Sequence, residues 1–332
     1  MLGGTAWLGR EIAVEAAARG HAVTCLARGK AGQFIDGVRS VIADRDDSDA
    51  YAEVSAQRWD AVVDVGRQPG HVRRAVTALQ PVSECFLFVS TGNVYASQRE
   101  LDQDEDAELM PRLVSDMMGS TEDYGSAKVA CEEAAVRGFG ADRTLVARAG
   151  LIGGPGDISG RSSYWPWRFA HPSNQKQTVL VPDDPDVPTG IIDVRDLATW
   201  LVSCAETATS GVFNAAGRPV PLEEHLAVAR SVAGHVGPVI AVPSTWLTDQ
   251  QVQMWSGPRS LPLWIDDPDW YGMNARSTVR ARAAGLVTRT LEETLTDTLS
   301  WERSRPEQGP HGAGLTDHEE QQLLALLSKP AR

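Results

Sequence analysis

From residue 8 to residue 149 the chain alternates helical patterns with short apolar runs, and this alternation limits its fold more than any other feature. The runs at 22–27 (AVTCLA), 38–43, 61–65 (AVVDV), 85–90 (CFLFVS) and 144–149 read as buried strands. Helical patterns at 8–19, 48–57, 71–79 and 124–137 flank them. In the first of these, Leu8, Ile12, Ala13 and Ala16 share a face and Gly20 supplies the stop. Strands that alternate with helices build βαβ units, whose strands lie parallel. Right-handed crossovers then leave the doubly wound sheet as the leading topology. The expected fold class is α/β, a doubly wound parallel sheet followed by a smaller C-terminal domain.

Beyond Gly150 the texture changes. Residues 151–190 are rich in Gly, Pro and aromatics and have no period. Short strands at 191–194 and 212–215 enclose a helix at 196–206, and further helices are expected at 221–234, 277–284 and 291–303. The stretch 243–276 reads as loop. A Pro/Gly-rich linker at 306–314 leads to an amphipathic helix near 315–328.

Lys and Arg number 31 against 44 Asp and Glu, a formal net charge of −13. Binders of phosphate backbones carry a basic face, so this balance speaks against nucleic acid. It leaves room for a local basic patch, and it speaks equally weakly against anionic membrane surfaces. No apolar run approaches the ~20 residues that span a bilayer, and no secretory signal opens the chain. Cys25, Cys85, Cys131 and Cys204 lie far apart without a CxxC, as expected of reduced thiols in a cytoplasmic protein. The histidines show no HExxH spacing, and no metal site is expected.

Residues 2–9 read LGGTAWLG and run into the first helix. Gly3 permits a tight turn and Gly9 lets the helix approach the sheet. The helix N-terminus offers N–H groups and a positive dipole end to a pyrophosphate. An ordinary glycine-rich turn has the same letters. The next strand ends as CLARG (25–29), where the adenosine ribose of a dinucleotide would lie. Arg28 stands there with Lys30 behind it. A cation suits a 2′-phosphate, so NADP(H) is favoured and NAD(H) stays open. A solvated loop arginine is the other reading. The third strand ends as IADRD, which sets Asp44 where it can accept from the adenine amine; a solvated carboxylate is the alternative.

Tyr124 and Lys128 (YGSAK) fall on one face of a helix. A tyrosine with its ordinary pKa of roughly 10 is a poor base at neutral pH, and a neighbouring ammonium brings it toward the working range. The strand 85–90 runs into STGNVYA, placing Ser90 and Thr91 at its C-terminal end, the edge where open parallel sheets build their sites. Thr91 can orient a substrate oxygen there, or can simply satisfy a local turn.

In the order GGTxxLG, STxxVY, YxxxK the chain resembles the extended short-chain dehydrogenase/reductases, and within them the NAD-dependent epimerase/dehydratase group. The resemblance covers about residues 2–217 well and the rest loosely. It implies a Rossmann-type fold with Tyr124 as acid/base. Lys128 matches the lysine that lowers its pKa and holds the nicotinamide ribose. Thr91 matches the hydroxyl that orients the substrate, and Ser90 is the fallback. Cofactor contacts are implied for Gly3, Thr5, Ala6, Trp7, Leu8, Gly9, Arg28, Asp44, Val65, Gly66, Ser90, Tyr124, Lys128, Ala149, Gly150 and Leu151. The segment 148–157 resembles one whose backbone meets the nicotinamide amide, and 191–197 (IIDVRDL) resembles one that returns the chain to the first domain. The implied domains are a dinucleotide-binding domain at 1–155 and 178–217, a substrate domain at 156–177 and 218–303, and a linker with C-terminal helix at 304–332. A homodimer through the helices after the fourth and fifth strands is a further implication.

Two departures from the family pattern stand out. Ala6 replaces the middle glycine of GxxGxxG, and only Met1 and Leu2 precede Gly3 where the family has a full strand. Loss of that central strand would leave backbone unpaired. The expectation is a start upstream of Met1, or else a poorly anchored loop.

In the family, specificity resides in the C-terminal half. Seven of the ten tryptophans lie between residues 165 and 270. Those in YWPWR (164–168), in 255–264 and in 269–271 can stack on sugars or other flat faces, or can fill a small core. Arg168 and Arg259 are candidates for a phosphate or carboxylate. A nucleotide sugar is the substrate the resemblance implies; with no dense basic cluster, an apolar or aromatic secondary metabolite is the alternative. The expected activity is NAD(P)-dependent hydride transfer to or from a carbonyl or alcohol carbon, as a reductase or a sugar-type epimerase. Gly92 and Asn93 supply no carboxylate, which disfavours dehydration. A non-catalytic dinucleotide-sensing or RNA-binding relative is the rival of another class, and an inactive fragment the third reading. The presence of Tyr124 and Lys128 and the charge of −13 weigh against the sensing or RNA-binding rival.

Overall fold

The computed structural model describes residues 1–32, 35–310 and 312–328; His311 and residues 329–332, which fall in the expected linker and C-terminal segment, lie outside the described residues. The chain forms two compact units. The first contains Met1–Gly150, Val194–Ala216 and Arg276–Val287; the second contains Leu151–Asp193, Gly217–Ala275 and the residues from Thr288 on.

In chain order the first unit opens with α1 (Trp7–Ala18), β1 (Thr24–Ala27), β2 (Arg39–Ile42), β3 (Trp59–Asp64), α2 (Pro69–Leu79), β4 (Ser83–Thr91), α3 (Tyr124–Phe139) and β5 (Thr144–Ala149). The second unit begins with β6 (Leu151–Gly153), α4 (Tyr164–Ala170), β7 (Val179–Pro182), β8 (Pro188–Thr189) and β9 (Ile191–Asp193). The chain returns to the first unit for α5 (Val194–Glu206) and β10 (Gly211–Ala215). It then gives the second β11 (Val220–Pro221), α6 (Leu222–Ala233), β12 (Val239–Val242), α7 (Ser244–Asp249), β13 (Gln253–Trp255), β14 (Gly257–Pro258) and β15 (Ser260–Pro262). After α8 (Val279–Ala283) in the first unit, α9 (Leu291–Ser304), β16 (Ala313–Gly314) and α10 (Asp317–Leu327) complete the second.

The strands of the first unit pair in parallel, as β2-β1 on one side and β3-β4-β5-β10 on the other. Leu2 joins the two sets through parallel bridges to Leu26 of β1 and Asp64 of β3. The stub is hydrogen-bonded on both edges. Leu2 N donates to Val63 O at 2.8 Å, Leu26 N to Met1 O at 2.9 Å, and Gly3 N to Leu26 O at 2.9 Å. The expected weakness of the loop's anchorage is therefore not observed, because the residues just before the loop already pair with both neighbours. β4 is a continuous apolar run because both of its faces are covered; Phe86 and Phe88 are fully buried, and the Phe86 ring lies 4.9 Å from that of Phe139 on α3.

The helix expected at 48–57 is absent. Turns fill that crossover, with one 3₁₀ turn at Val54–Ala56. The stretch that leads into it, 44–49, holds four aspartates, and Asp44 takes the backbone N–H of Asp46 at 3.2 Å. Such local side-chain bonds compete with helix formation.

The division into units also differs from the expected domain limits. Residues 178–193 belong to the second unit, because β7 pairs with β12 and β9 with β6. Residues 276–287 belong to the first, where Trp200 Nε1 donates to Ala284 O at 3.0 Å. The C-terminal helix is no appendage, since Leu315 and Leu323 join the core of the second unit.

That core settles the reading of two tryptophans. Trp165 and Trp264 are wholly buried in it. Their indole N–H groups donate to Pro262 O at 2.7 Å and to Asp184 Oδ2 at 2.6 Å. Arg168 is likewise structural and not a ligand for an external anion. Its guanidinium donates to Asp317 at 2.7 Å and to Leu315 O at 2.7 Å, and lies 3.3 Å from the buried Glu320. Arg259 donates to Gln250 O at 3.0 Å and pairs with Glu319 at 3.8 Å. Removing one partner of a buried pair strands the other charge. Arg168→Met is therefore expected to destabilise the protein by about 3–5 kcal/mol in urea unfolding. A change under about 1 kcal/mol would show that the pair does not hold α10.

Candidate functional site

The glycine loop is built by close approach. Gly3 has φ +89°, which favours glycine. A Cβ on Gly9 would lie 2.3 Å from Gly3 O, so α1 packs directly on the loop. Ala6 is the N-cap of α1 and offers no side-chain acceptor to the first turn, whose residues are Trp7, Leu8 and Gly9. Val65 closes the other side; its N donates to Leu2 O at 3.3 Å, and its Cγ2 sits where a Gly3 side chain would go.

Beside the loop lies a cavity of about 330 Å³, lined among others by Gly3, Thr5, Ala6, Arg28, Asp44 and Arg45. Five of the expected cofactor residues thus meet at one opening. The chain crosses Thr5 closely here, since a Cβ on Gly32 would come within 2.8 Å of Thr5 O. Arg28 and Asp44 form an ion pair at 3.6 Å, with both side chains substantially exposed. Arg45 was not anticipated. It is buried, holds Asp64 through two bonds of 2.7 Å, and donates to the Tyr51 hydroxyl at 2.7 Å. The signal for it was the lone aspartate inside the apolar strand AVVDV, a buried charge in need of a partner.

The second cluster forms at the C-terminal end of β4. Tyr124 is the first residue of α3, and Lys128 follows one turn later. A Cβ on Gly125 would strike Asn93 O at 2.3 Å, so the start of α3 rests directly on the turn after Thr91. Lys128 is buried. Its ammonium donates to Gly66 O at 2.8 Å and to Val89 O at 2.5 Å, beneath the Phe88 ring at 4.2 Å. Burial pushes its pKa down to about 8, against the upward pull of nearby acidic groups. Thr91 Oγ1 accepts from Asn93 N at 3.3 Å and so caps the turn that carries it.

Ser90, the expected fallback, is engaged within the protein. Its hydroxyl donates to Glu132, which also holds Arg148 at 2.9 Å. Arg148 in turn donates to Tyr95 Oη at 3.1 Å, and Tyr95 donates to Asn214 at 2.6 Å. This buried network ties β4, α3, β5 and β10 together, and sequence spacing alone does not show it. Ala149 ends β5, and Gly150 N donates to Ala215 O at 2.9 Å. Leu151 starts β6 in the second unit. Among the described residues, no group of three or more His, Cys, Asp or Glu is placed to hold a metal ion, and no helix is long and apolar enough to cross a membrane.

No family model and no curated protein matches the sequence. Solved structures do match it. A "putative epimerase" from Burkholderia cenocepacia J2315 is 23% identical with a TM-score of 0.68, covering 92% of this chain and 97% of its own. The chain has the fold of these epimerases. UDP-N-acetylglucosamine 4-epimerase from Bacillus cereus follows at 16% identity and TM-score 0.64, with 92% and 96% covered. UDP-glucose 4-epimerase from Bifidobacterium longum, in complex with NAD+ and UDP, gives 17% and 0.59, with 92% and 98% covered.

Proposed function

We propose that the chain is an NAD(P)-dependent oxidoreductase that moves a hydride to or from a carbonyl or alcohol carbon of a small molecule. The observation that carries this reading is a buried Lys128 one turn from Tyr124, on a helix that rests against the Thr91 turn. The glycine loop with no room for a Cβ at Gly9, opening on the cavity lined by Arg28 and Asp44, fits a dinucleotide. When bound, its nicotinamide supplies or accepts the hydride.

The chain's own residues do the rest. Gly3 to Gly9 would hold the pyrophosphate at the start of α1. Lys128, fixed by two carbonyls, keeps a positive charge beside the phenol and favours the phenolate. Tyr124 moves the hydroxyl proton of the substrate, and Thr91 orients the same oxygen. A nucleotide sugar is the first substrate class to screen, since two of the similar structures are named as UDP-sugar epimerases. Hydride transfer from NADPH to a panel of carbonyl compounds and nucleotide keto-sugars tests the activity. No turnover in any arm, with nucleotide bound, would favour a sensing role.

Arg28 carries the preference for NADPH over NADH on this reading. Asp44 neutralises part of its charge, so the preference is modest. Arg28→Ala is expected to cut the ratio of NADPH to NADH affinity by about tenfold, the worth of one charge-assisted contact. An unchanged ratio in paired titrations would remove Arg28 from the 2′-phosphate.

A further inference from the structure

The second unit contains a larger cavity that the dinucleotide reading leaves without a role. It measures about 620 Å³ and is bounded by α6, the β7–β12 pair, Phe169 of α4 and the loop 183–185. Leu222, Leu226, Val181 and Val239 make its walls apolar. Small-molecule sites typically occupy about 300–1,000 Å³, with apolar walls and a few fixed polar groups.

His235 supplies such a group. The residue lines the cavity and is nine-tenths buried, and its Nε2 has no hydrogen-bond partner. Its ring sits 5.3 Å from that of Phe169. The backbone fixes it in place. Gly234 ends α6 in the left-handed conformation, His235 N donates to Arg230 O at 3.1 Å, and Arg230 donates back to His235 O at 3.2 Å and to Gly237 O at 3.0 Å. Buried polar atoms in native proteins are nearly always paired, so an orphan nitrogen on a residue that lines a cavity marks a place for a partner.

Charge narrows the partner. Asp183, Asp184 and Glu223 line the cavity, and Asp184 is already engaged by Trp264 and Ser244. Arg230, the cation among the lining residues, is committed to two carbonyls. An anionic ligand would meet carboxylates without a free counter-charge.

We propose that this cavity is a small-molecule site for an uncharged, flat, apolar compound with one hydroxyl group, which pairs with Nε2 of His235. A hydroxyl both donates and accepts, so it suits either tautomer of the imidazole. The site lies wholly in the second unit and does not rest on the dinucleotide reading.

The test is calorimetric titration of the full chain with 2-naphthol and with 2-naphthoate, with NADPH titrated separately into the same samples. The expected result is one 2-naphthol site, with 2-naphthoate at least tenfold weaker. Ala227→Trp, at an exposed position on the cavity wall, should weaken 2-naphthol at least tenfold by filling the space. His235→Phe should weaken it about fivefold by removing Nε2 while keeping a ring. Glu223→Lys, an exposed change that leaves the core untouched, should narrow the gap between the two probes. Unchanged NADPH affinity and melting temperature show that each variant is folded. The proposal is overturned by absence of 2-naphthol binding, by binding that survives both Ala227→Trp and His235→Phe, or by equal affinity for the two probes. NADPH that fails to bind while 2-naphthol succeeds would sink the dinucleotide reading alone.

Discussion

Tyr124→Phe is expected to lower hydride transfer by about 10²–10⁴-fold, the usual contribution of a positioned acid/base, while NADPH still binds. The phenol is the group assigned to proton movement, and a phenyl ring retains its packing at the start of α3. Lys128→Met should reduce turnover comparably and should also change the pH dependence. In the folded protein the ammonium titrates at about 8, lowered by burial from an ordinary 10.5. Reduction by the native chain is therefore expected to decline above pH 8 as the ammonium loses its charge, and Lys128→Met should lack that step. Stability should move the opposite way. Below pH 8 the folded state carries the cost of a buried charge. Between about 8 and 10.5 the unfolded chain binds the extra proton, so stability rises with pH across that window. Rate profiles and urea unfolding from pH 7 to 10.5 check both signs. A flat rate profile together with flat stability would show that Lys128 does not titrate there.

Gly9→Val is expected to produce the largest loss of nucleotide binding. A Cβ at that position falls 2.3 Å from Gly3 O and 3.0 Å from Gly3 C, both backbone atoms that cannot rotate away. α1 must then move off the loop. Overpacking of this kind costs about 1–3 kcal/mol of stability, and the same displacement withdraws the helix N-terminus from the pyrophosphate. Affinity for both nucleotides should fall about a hundredfold, which corresponds to roughly 2.7 kcal/mol. Because the substitution lies far in sequence from Tyr124, retained binding would mean that Gly3–Gly9 is an ordinary turn.

What was legible in the sequence follows from how local each signal is. The strand CFLFVS and the helix from Tyr124 announce themselves because burial on both faces and a four-residue spacing are properties of a few consecutive residues. Gly9 was legible for the same reason. The anchorage of the glycine loop was not legible because pairing of Leu2 depends on two strands farther along the chain, at Leu26 and Asp64. Arg168 read as a ligand for anions because its partners, Asp317 and Glu320, come about 150 positions later. The Ser90–Glu132 bond and the Trp264–Asp184 bond join residues 42 and 80 positions apart, and each turns a candidate for ligand contact into a part of the core. The failed helix at 48–57 is a local error. Just before it, Asp44 binds the backbone N–H of Asp46, a competing turn contact that apolar periodicity does not register.

The central claim, that the glycine loop and the Tyr124–Lys128 helix serve a bound dinucleotide, is tested most directly by calorimetric titration of the chain with NADPH and NADH. The account predicts one site for each nucleotide, with NADPH the tighter and both weakened about a hundredfold in Gly9→Val. Binding of neither nucleotide to a folded chain would contradict it.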